Sequence, residues 1–197
     1  MRIIAGLGNP GGEYEKTRHN AGRIVLEAIH AAHGFAKWTP KKLSEALVAK
    51  GEIGGTPVTL VEPETFMNES GRSLKKFVKN ISDAAELVVI HDDIDLPLGT
   101  WKFSFDRGEG GHNGLRSISE VIKTRAYLRI RIGILPLDEE GKPKKPKGED
   151  AVLKFVLGKF SATERKALDK MGQEVSEAIG VLLKDGLAVA MNKYHTD

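Results

Sequence analysis

The chain has 197 residues, 40% of them hydrophobic and 29% charged, with a formal net charge of +3. That length fits one domain with a full core, and the composition excludes disordered and fibrous classes. The absence of cysteine excludes disulfides, thiolate nucleophiles and zinc–thiolate centres, while the small basic excess permits a nucleic-acid partner without demanding one.

Met1-Arg2 leads straight into an apolar run that ends at Gly6, which reads as a buried strand feeding a turn at Gly8-Asn9-Pro10-Gly11-Gly12. The start lacks the apolar stretch and small-residue cleavage site of a secretory signal. No run approaches the roughly 18 apolar residues of a membrane helix, so a cytoplasmic protein with no membrane partner is expected. From Ala21, positions Val25, Ala28, Ile29 and Ala32 recur at helical spacing, and Gly34 is placed to close the helix. Leu47 to Lys50 and Val58 to Val61 read as a hairpin around Gly54-Gly55-Thr56-Pro57. Leu74, Phe77, Val78 and Ile81 predict a short amphipathic helix, and Glu86 to Ile90 a central strand buried on both faces. A further helix is expected over Ser117 to Lys123.

Residues 128 to 134 alternate, which puts Leu128, Ile130, Ile132 and Ile134 on one face and Arg129 and Arg131 side by side on a polar face. Gly141 to Gly148 carries four lysines among prolines and glycines, a solvated loop or an added RNA contact. Ser161 and Glu164 fit a capping box that opens a long helix reaching Gly186. Strands alternating with helices predict an α/β fold: one three-layer domain over 1–197, with a twisted, mixed, partly parallel sheet flanked by helices.

Four asparagines sit in glycine-rich turns, at Asn9, Asn20, Asn68 and Asn113, and two of those turns also carry a histidine, His19 and His112. Neutral amides suit a site that grips carbonyls and hydroxyls while a histidine moves a proton. Gly6-Leu7-Gly8-Asn9-Pro10-Gly11 satisfies the dinucleotide-binding pattern, but Pro10, Gly11 and Gly12 prolong the turn. The nearest suitable acid, Glu27, falls inside the next helix, where a dinucleotide fold needs it at a strand end. Neither a phosphate-binding G-x-x-x-x-G-K-[ST] nor a G-x-S-x-G elbow is present, which leaves water as the nucleophile.

Ligand crevices in α/β sheets lie beyond the carboxyl ends of the strands. Asn9 and Asp92 each sit within two residues of an expected strand end, and His19 lies in the loop that Asn9 begins. An Asp92 carboxylate would fix the His19 tautomer while the other ring nitrogen takes a proton from water. Asn9 serves equally well as a turn residue, Asn113 equally well as a helix N-cap, and His112 is open between contact and scaffold. His91, Asp92, Asp93 and Asp95 together offer a competing divalent-cation site.

Taken in order, Gly6–Gly11, Tyr14, Thr17–Gly22, Thr65–Asn68, His91–Leu96, Gly110–Leu115, Arg129–Gly133 and Val156–Phe160 resemble the bacterial peptidyl-tRNA hydrolase family along almost the whole chain. The resemblance implies hydrolysis of the ester between a peptide and the terminal ribose of tRNA, freeing tRNA from peptides dropped by stalled ribosomes. It implies no metal and no cofactor. His19 then matches the catalytic base and Asp92 its orienting partner. Asn9, Tyr14, Met67, Asn68 and Asn113 match positions lining the peptide and acceptor-end cleft, most closely Asn9 and Asn68. Lys102, Arg107 and Arg131 correspond to the tRNA-facing basic set, one of whose lysines falls on Ser104. The segment 138–150 is longer than usual for the family. A monomer is expected. A noncatalytic RNA-binding protein on the same fold and a metal-dependent phosphohydrolase are the competing readings.

Overall fold

A computed structural model describes residues 2–137 and 140–194. The described residues form seven strands: β1 (Arg2–Gly6), β2 (Thr39–Lys41), β3 (Ala46–Ile53), β4 (Thr56–Pro63), β5 (Leu87–Pro97), β6 (Trp101–Phe105) and β7 (Leu128–Leu135). They build one sheet in the order β2-β3-β4-β1-β5-β7-β6. The centre is parallel, β1 pairing with β4 and β5 and β5 with β7, while β2, β3 and β6 pair antiparallel at the edges. This is the mixed, partly parallel sheet expected from the sequence.

Helices cover both faces, because the central strands are apolar on both sides. On one face Ile4, Val88, Ile90 and Ile130 pack with Val25 and Ile29 of α1 (Ala21–Ala32). The same core takes in Leu168, Met171, Val175 and Ile179 of a long helix, residues Ala162–Asp185. On the other face Ile3, Ala5 and Val89 pack with Leu74 and with Leu115 and Ile118. Leu74 ends α2 (Ser70–Leu74); the short α3 (Ile81–Ala84) follows; Leu115 and Ile118 belong to α4 (Asn113–Ile122). The chain then runs through α5 (Glu149–Val156), the long α6 named above, and α7 (Leu187–Tyr194). The expected capping box is present, Ser161 and Glu164 each bonding the other's backbone N–H, and α6 ends at Gly186. The hairpin turns on Gly54 and Gly55, both at positive φ, which glycine adopts without the cost a side chain carries there.

Three local expectations change. The spacing from Leu74 to Ile81 is not one helix: α2 ends at Leu74, Phe77 and Val78 lie in the connection, and Asn80 accepts from the Asp83 N–H and starts α3 afresh, leaving Ile81 68% exposed. The strand expected to stop at Ile90 continues to Pro97, because β7 keeps pairing with it through Asp92↔Ile132 and Asp93↔Gly133. Arg129 does not share an open polar face with Arg131. It is 2% exposed, bonded to the Gly108 carbonyl at 2.8 Å and stacked over the Tyr127 ring, while Arg131 is half-buried. The cover comes from Tyr127 and the 106–112 loop, partners that period-two counting cannot see.

Candidate active site

The carboxyl ends of β1 and β5 lie side by side, Gly6 pairing with Ile90. Just beyond them the Leu7 N–H donates to the Ile90 carbonyl at 2.9 Å and the Arg23 N–H to the Leu7 carbonyl at 3.1 Å. The helix start rides this close because of Gly22, where a Cβ would stand 2.3 Å from the Ile90 oxygen. One tight turn before it is His19, in a 3-10 segment Arg18–Asn20. That segment is tied from outside: the Arg18 N–H donates to Gly158 O and the Phe160 N–H to Lys16 O, both at 2.9 Å. Arg18 also pairs with Glu164 at 2.7 Å and lies over the Phe155 ring. The Val156–Phe160 motif thus serves as an anchor for the loop that presents His19.

His19 Nδ1 stands 3.0 Å from both carboxylate oxygens of Asp92. A second imidazole, His112, places Nε2 3.0 Å from Asp92 Oδ1. Its Nδ1 accepts from the backbone N–H groups of Gly114 and Leu115. That acceptor role puts the His112 ring proton on Nε2, so it donates to Asp92. His112 is therefore the N-cap of α4, and Asn113, left open as a cap, is the first helical residue with its side chain exposed. His112 is the site member that sequence reasoning left unassigned; its sequence signal was a glycine-rich turn just ahead of a helix, which fits a cap as well as a ligand.

Burial disfavours charge on His19, but the Asp92 carboxylate outweighs it and raises the imidazole above its ordinary value. Burial likewise works against the Asp92 anion, and the two imidazoles hold it well below the usual carboxylate range. His91 is separate: burial, reinforced by His112, pushes it down to about 3, and its Nδ1 bonds the Asp92 carbonyl at 2.8 Å. A buried carboxylate receiving two imidazole donors aligns His19 so that Nε2 can act as a base.

Asn9 and Met67 meet at this site, the Met67 N–H donating to Asn9 Oδ1 at 2.7 Å. Asn20 takes the N-cap position of α1 without a side-chain cap bond, and its amide holds Asn9, exchanging two 2.9 Å bonds with the Asn9 backbone. Met67 reaches the start of α4, where a Cβ on Gly114 would lie 2.5 Å from its sulfur. Asn68 follows Met67 with its side chain exposed. Tyr14 packs edge-on against Phe66, ring centroids 6.4 Å apart, so Phe66 joins the aromatic pair.

The basic candidates divide. Lys102 and Arg131 are register partners on β6 and β7, and Arg131 is fixed by Asp93 at 2.6 Å. Arg107 is exposed in the loop after β6. Ser104 is buried opposite Arg129. The aspartates do not gather into a cation site: Asp93 pairs with Arg131, Asp95 with Lys145, and Asp92 with the two histidines. Among the described residues the group whose ligand atoms converge, within 4.8 Å, is His19, Asp92 and His112.

A family model described as peptidyl-tRNA hydrolase matches residues 3–197. The peptidyl-tRNA hydrolase of Rhodococcus opacus (strain B4) is 41% identical over 194 residues, covering 98% of this chain and 97% of that protein. That of Mycobacterium bovis is 38% identical over 194 residues, covering 98% and 96%. The crystal structure of peptidyl-tRNA hydrolase from Acinetobacter baumannii superposes with a TM-score of 0.87 at 33% identity, covering 100% of this chain and 95% of that one. With relatives this close across both full lengths, the chain belongs to the peptidyl-tRNA hydrolase family.

Proposed function

We propose that this chain, acting as one catalytic unit, hydrolyses peptidyl-tRNA, with His19 as general base. The observation that carries the reading is the His19 Nδ1–Asp92 bond at 3.0 Å in a buried pair, supported by family membership. With Nδ1–H committed to Asp92, Nε2 has the lone pair that takes a proton from water. The water oxygen bonds to the ester carbonyl carbon, and the carbonyl oxygen becomes an oxyanion. As that intermediate collapses, the carbon–ribose oxygen bond breaks and the His19 imidazolium returns its proton to the leaving oxygen. The products are a free peptide acid and a tRNA hydroxyl.

Asn9, Asn68 and Asn113 supply neutral amide donors for the substrate carbonyl or the oxyanion, where one donor is typically worth about 2.7–4 kcal/mol of barrier. Met67, Tyr14 and Phe66 line the cleft with apolar and aromatic surface. Lys102, Arg107 and Arg131 meet the tRNA phosphates. The working form is a cytoplasmic monomer that releases tRNA for reuse after premature drop-off.

His19→Ala should abolish most turnover of an N-blocked aminoacyl-tRNA while leaving tRNA binding intact; near-normal turnover would sink the assignment. The converging ligand atoms of His19, Asp92 and His112 favour one rival, a metal-held water. Full activity in chelator dismisses that rival, whereas loss restored by added zinc would establish it.

A further inference from the structure

Arg23 sits in the first turn of α1, and its side chain folds back beneath the turn that carries Asn9. Its methylenes pack on Gly8, where a Cβ would lie 2.6 Å from Cδ. One edge of the guanidinium donates to the Asn9 carbonyl, Nη1 to O at 3.2 Å. The other meets Glu62 Oε2, from Nε at 3.2 Å and Nη2 at 2.9 Å, and Nη2 also bonds Glu64. Glu62 is 4% exposed, and its second oxygen has no partner among the described residues.

An ion pair this deep is a poor way to obtain stability. Two charges lose their hydration, and apolar groups of the same volume commonly do as well or better. Burial pushes the Glu62 carboxyl up to about 7 even with Arg23 beside it. The packing does not require the pair either, since a cleft of about 460 Å³ opens beside it, lined by Asn9, Arg23, Glu27, Glu62 and Arg165 among others. What the pair does achieve is geometric: a rigid planar fork links the end of β4 to one carbonyl, which a lysine cannot reproduce.

That carbonyl belongs to the peptide bond before Pro10, which has no N–H of its own to anchor. Asn9 is thereby held on every side but one. Its N–H and carbonyl are bonded to Asn20, its carbonyl also to Arg23, and its Oδ1 to Met67. Among the described residues no group bonds its side-chain NH2, which is left to face a substrate.

We infer that Arg23, braced by Glu62 and Glu64, is a positioning residue that sets the Asn9 peptide plane and so aims the Asn9 amide at the substrate carbonyl. The inference rests on the proposed hydrolase reading. It also names Arg23 and Glu62 as determinants of substrate handling.

The test is a double-mutant cycle on N-blocked aminoacyl-tRNA, with melting temperatures measured alongside. Arg23→Ala should lower kcat/KM by about 10- to 100-fold, the scale of an ångström-level misplacement. Arg23→Lys should recover only part of the loss. In an Asn9→Ala background, either change at Arg23 should cost less than about twofold more, because coupled sites are not additive. Multiplicative losses, or full kcat/KM in Arg23→Lys with its three-way fork gone, would overturn the inference. Should Arg23→Ala not fold, Arg23→Lys alone completes the cycle. The Asn9 side-chain amide resonances in wild type and Arg23→Lys give a readout independent of turnover: a shift is expected, and identical resonances refute the brace. If the wild type fails to hydrolyse the substrate, the hydrolase reading falls, and those resonances still judge the brace.

Discussion

Replacing Asp92 by asparagine changes almost no volume, so its effect reports charge and proton placement and not packing. The wild-type carboxylate accepts from His19 Nδ1 and His112 Nε2, both at 3.0 Å. The introduced amide has one oxygen for two donors. His112 cannot turn its proton away, because its Nδ1 is occupied by the N–H groups of Gly114 and Leu115. The amide oxygen therefore takes the Oδ1 place, 3.0 Å from both imidazoles, and the amide NH2 takes the Oδ2 place, also 3.0 Å from His19 Nδ1, which sets N–H against N–H there. Moving the His19 proton to Nε2 relieves that clash and removes the lone pair that activates water. The expected loss is that of general-base catalysis, about 10²–10⁴ in kcat, or about 3–5 kcal/mol of barrier. Adding His112→Ala frees the amide to rotate until its oxygen alone faces His19, so the double variant should lose far less than the product of the single losses. Steady-state kcat on N-blocked aminoacyl-tRNA at pH 7.5 measures both. Strictly multiplicative losses, or an Asp92→Asn enzyme within tenfold of wild type, would refute the tautomer argument.

Because His19 must be neutral to act and is raised above 6.5 in the folded enzyme, kcat/KM should climb with pH on an acid limb centred above 6.5. Asp92→Asn should shift that limb downward, since burial then acts alone; an unmoved limb would assign it to another group. His91 gives a stability test: its folded value of about 3 lies below the unfolded 6.5. The unfolded chain therefore binds the extra proton between those values, and stability present above 6.5 is lost as pH falls toward 3. Between pH 7.5 and 5 this amounts to about 2 kcal/mol, so urea unfolding of His91→Asn should be flatter by that amount; equal slopes would contradict it. Gly22→Ala puts a methyl 2.3 Å from the Ile90 carbonyl and 2.7 Å from the Leu7 backbone, which should destabilise by about 3 kcal/mol; an unchanged urea midpoint would show that α1 can shift. Replacing Lys142, Lys144, Lys145 and Lys147 by alanine should flatten the salt dependence of tRNA binding. Lys142 pairs with Glu140 and Lys145 with Asp95, which limits the expected change in slope to about 1–2 units. An unaltered slope would remove the 138–150 loop from the RNA footprint; Asp138 and Glu139 of that segment lie outside the described residues.

Much of this protein is written locally. The two-sided apolar runs at Ile3–Ala5 and Leu87–Ile90 demand a buried parallel centre. The Ser161–Glu164 box and Gly186 mark both ends of α6 because capping needs only neighbours in the chain. Asn9, His19 and Asp92 were legible as chemistry because their turns and strand ends announce a crevice. What the chain order could not express is which groups become partners across long separations. His112 is joined to Asp92 over 20 residues and His19 to Asp92 over 73. Arg129 is buried by a ring and a loop that no periodicity describes, and Arg23 reaches Asn9 and Glu62 only once β4 lies beside β1. Secondary structure follows from short-range propensity and patterning, which the sequence carries by itself. Proton placement, the burial of charge and the bonds that hold Asn9 depend on distances set by packing, and those the tertiary structure alone decides.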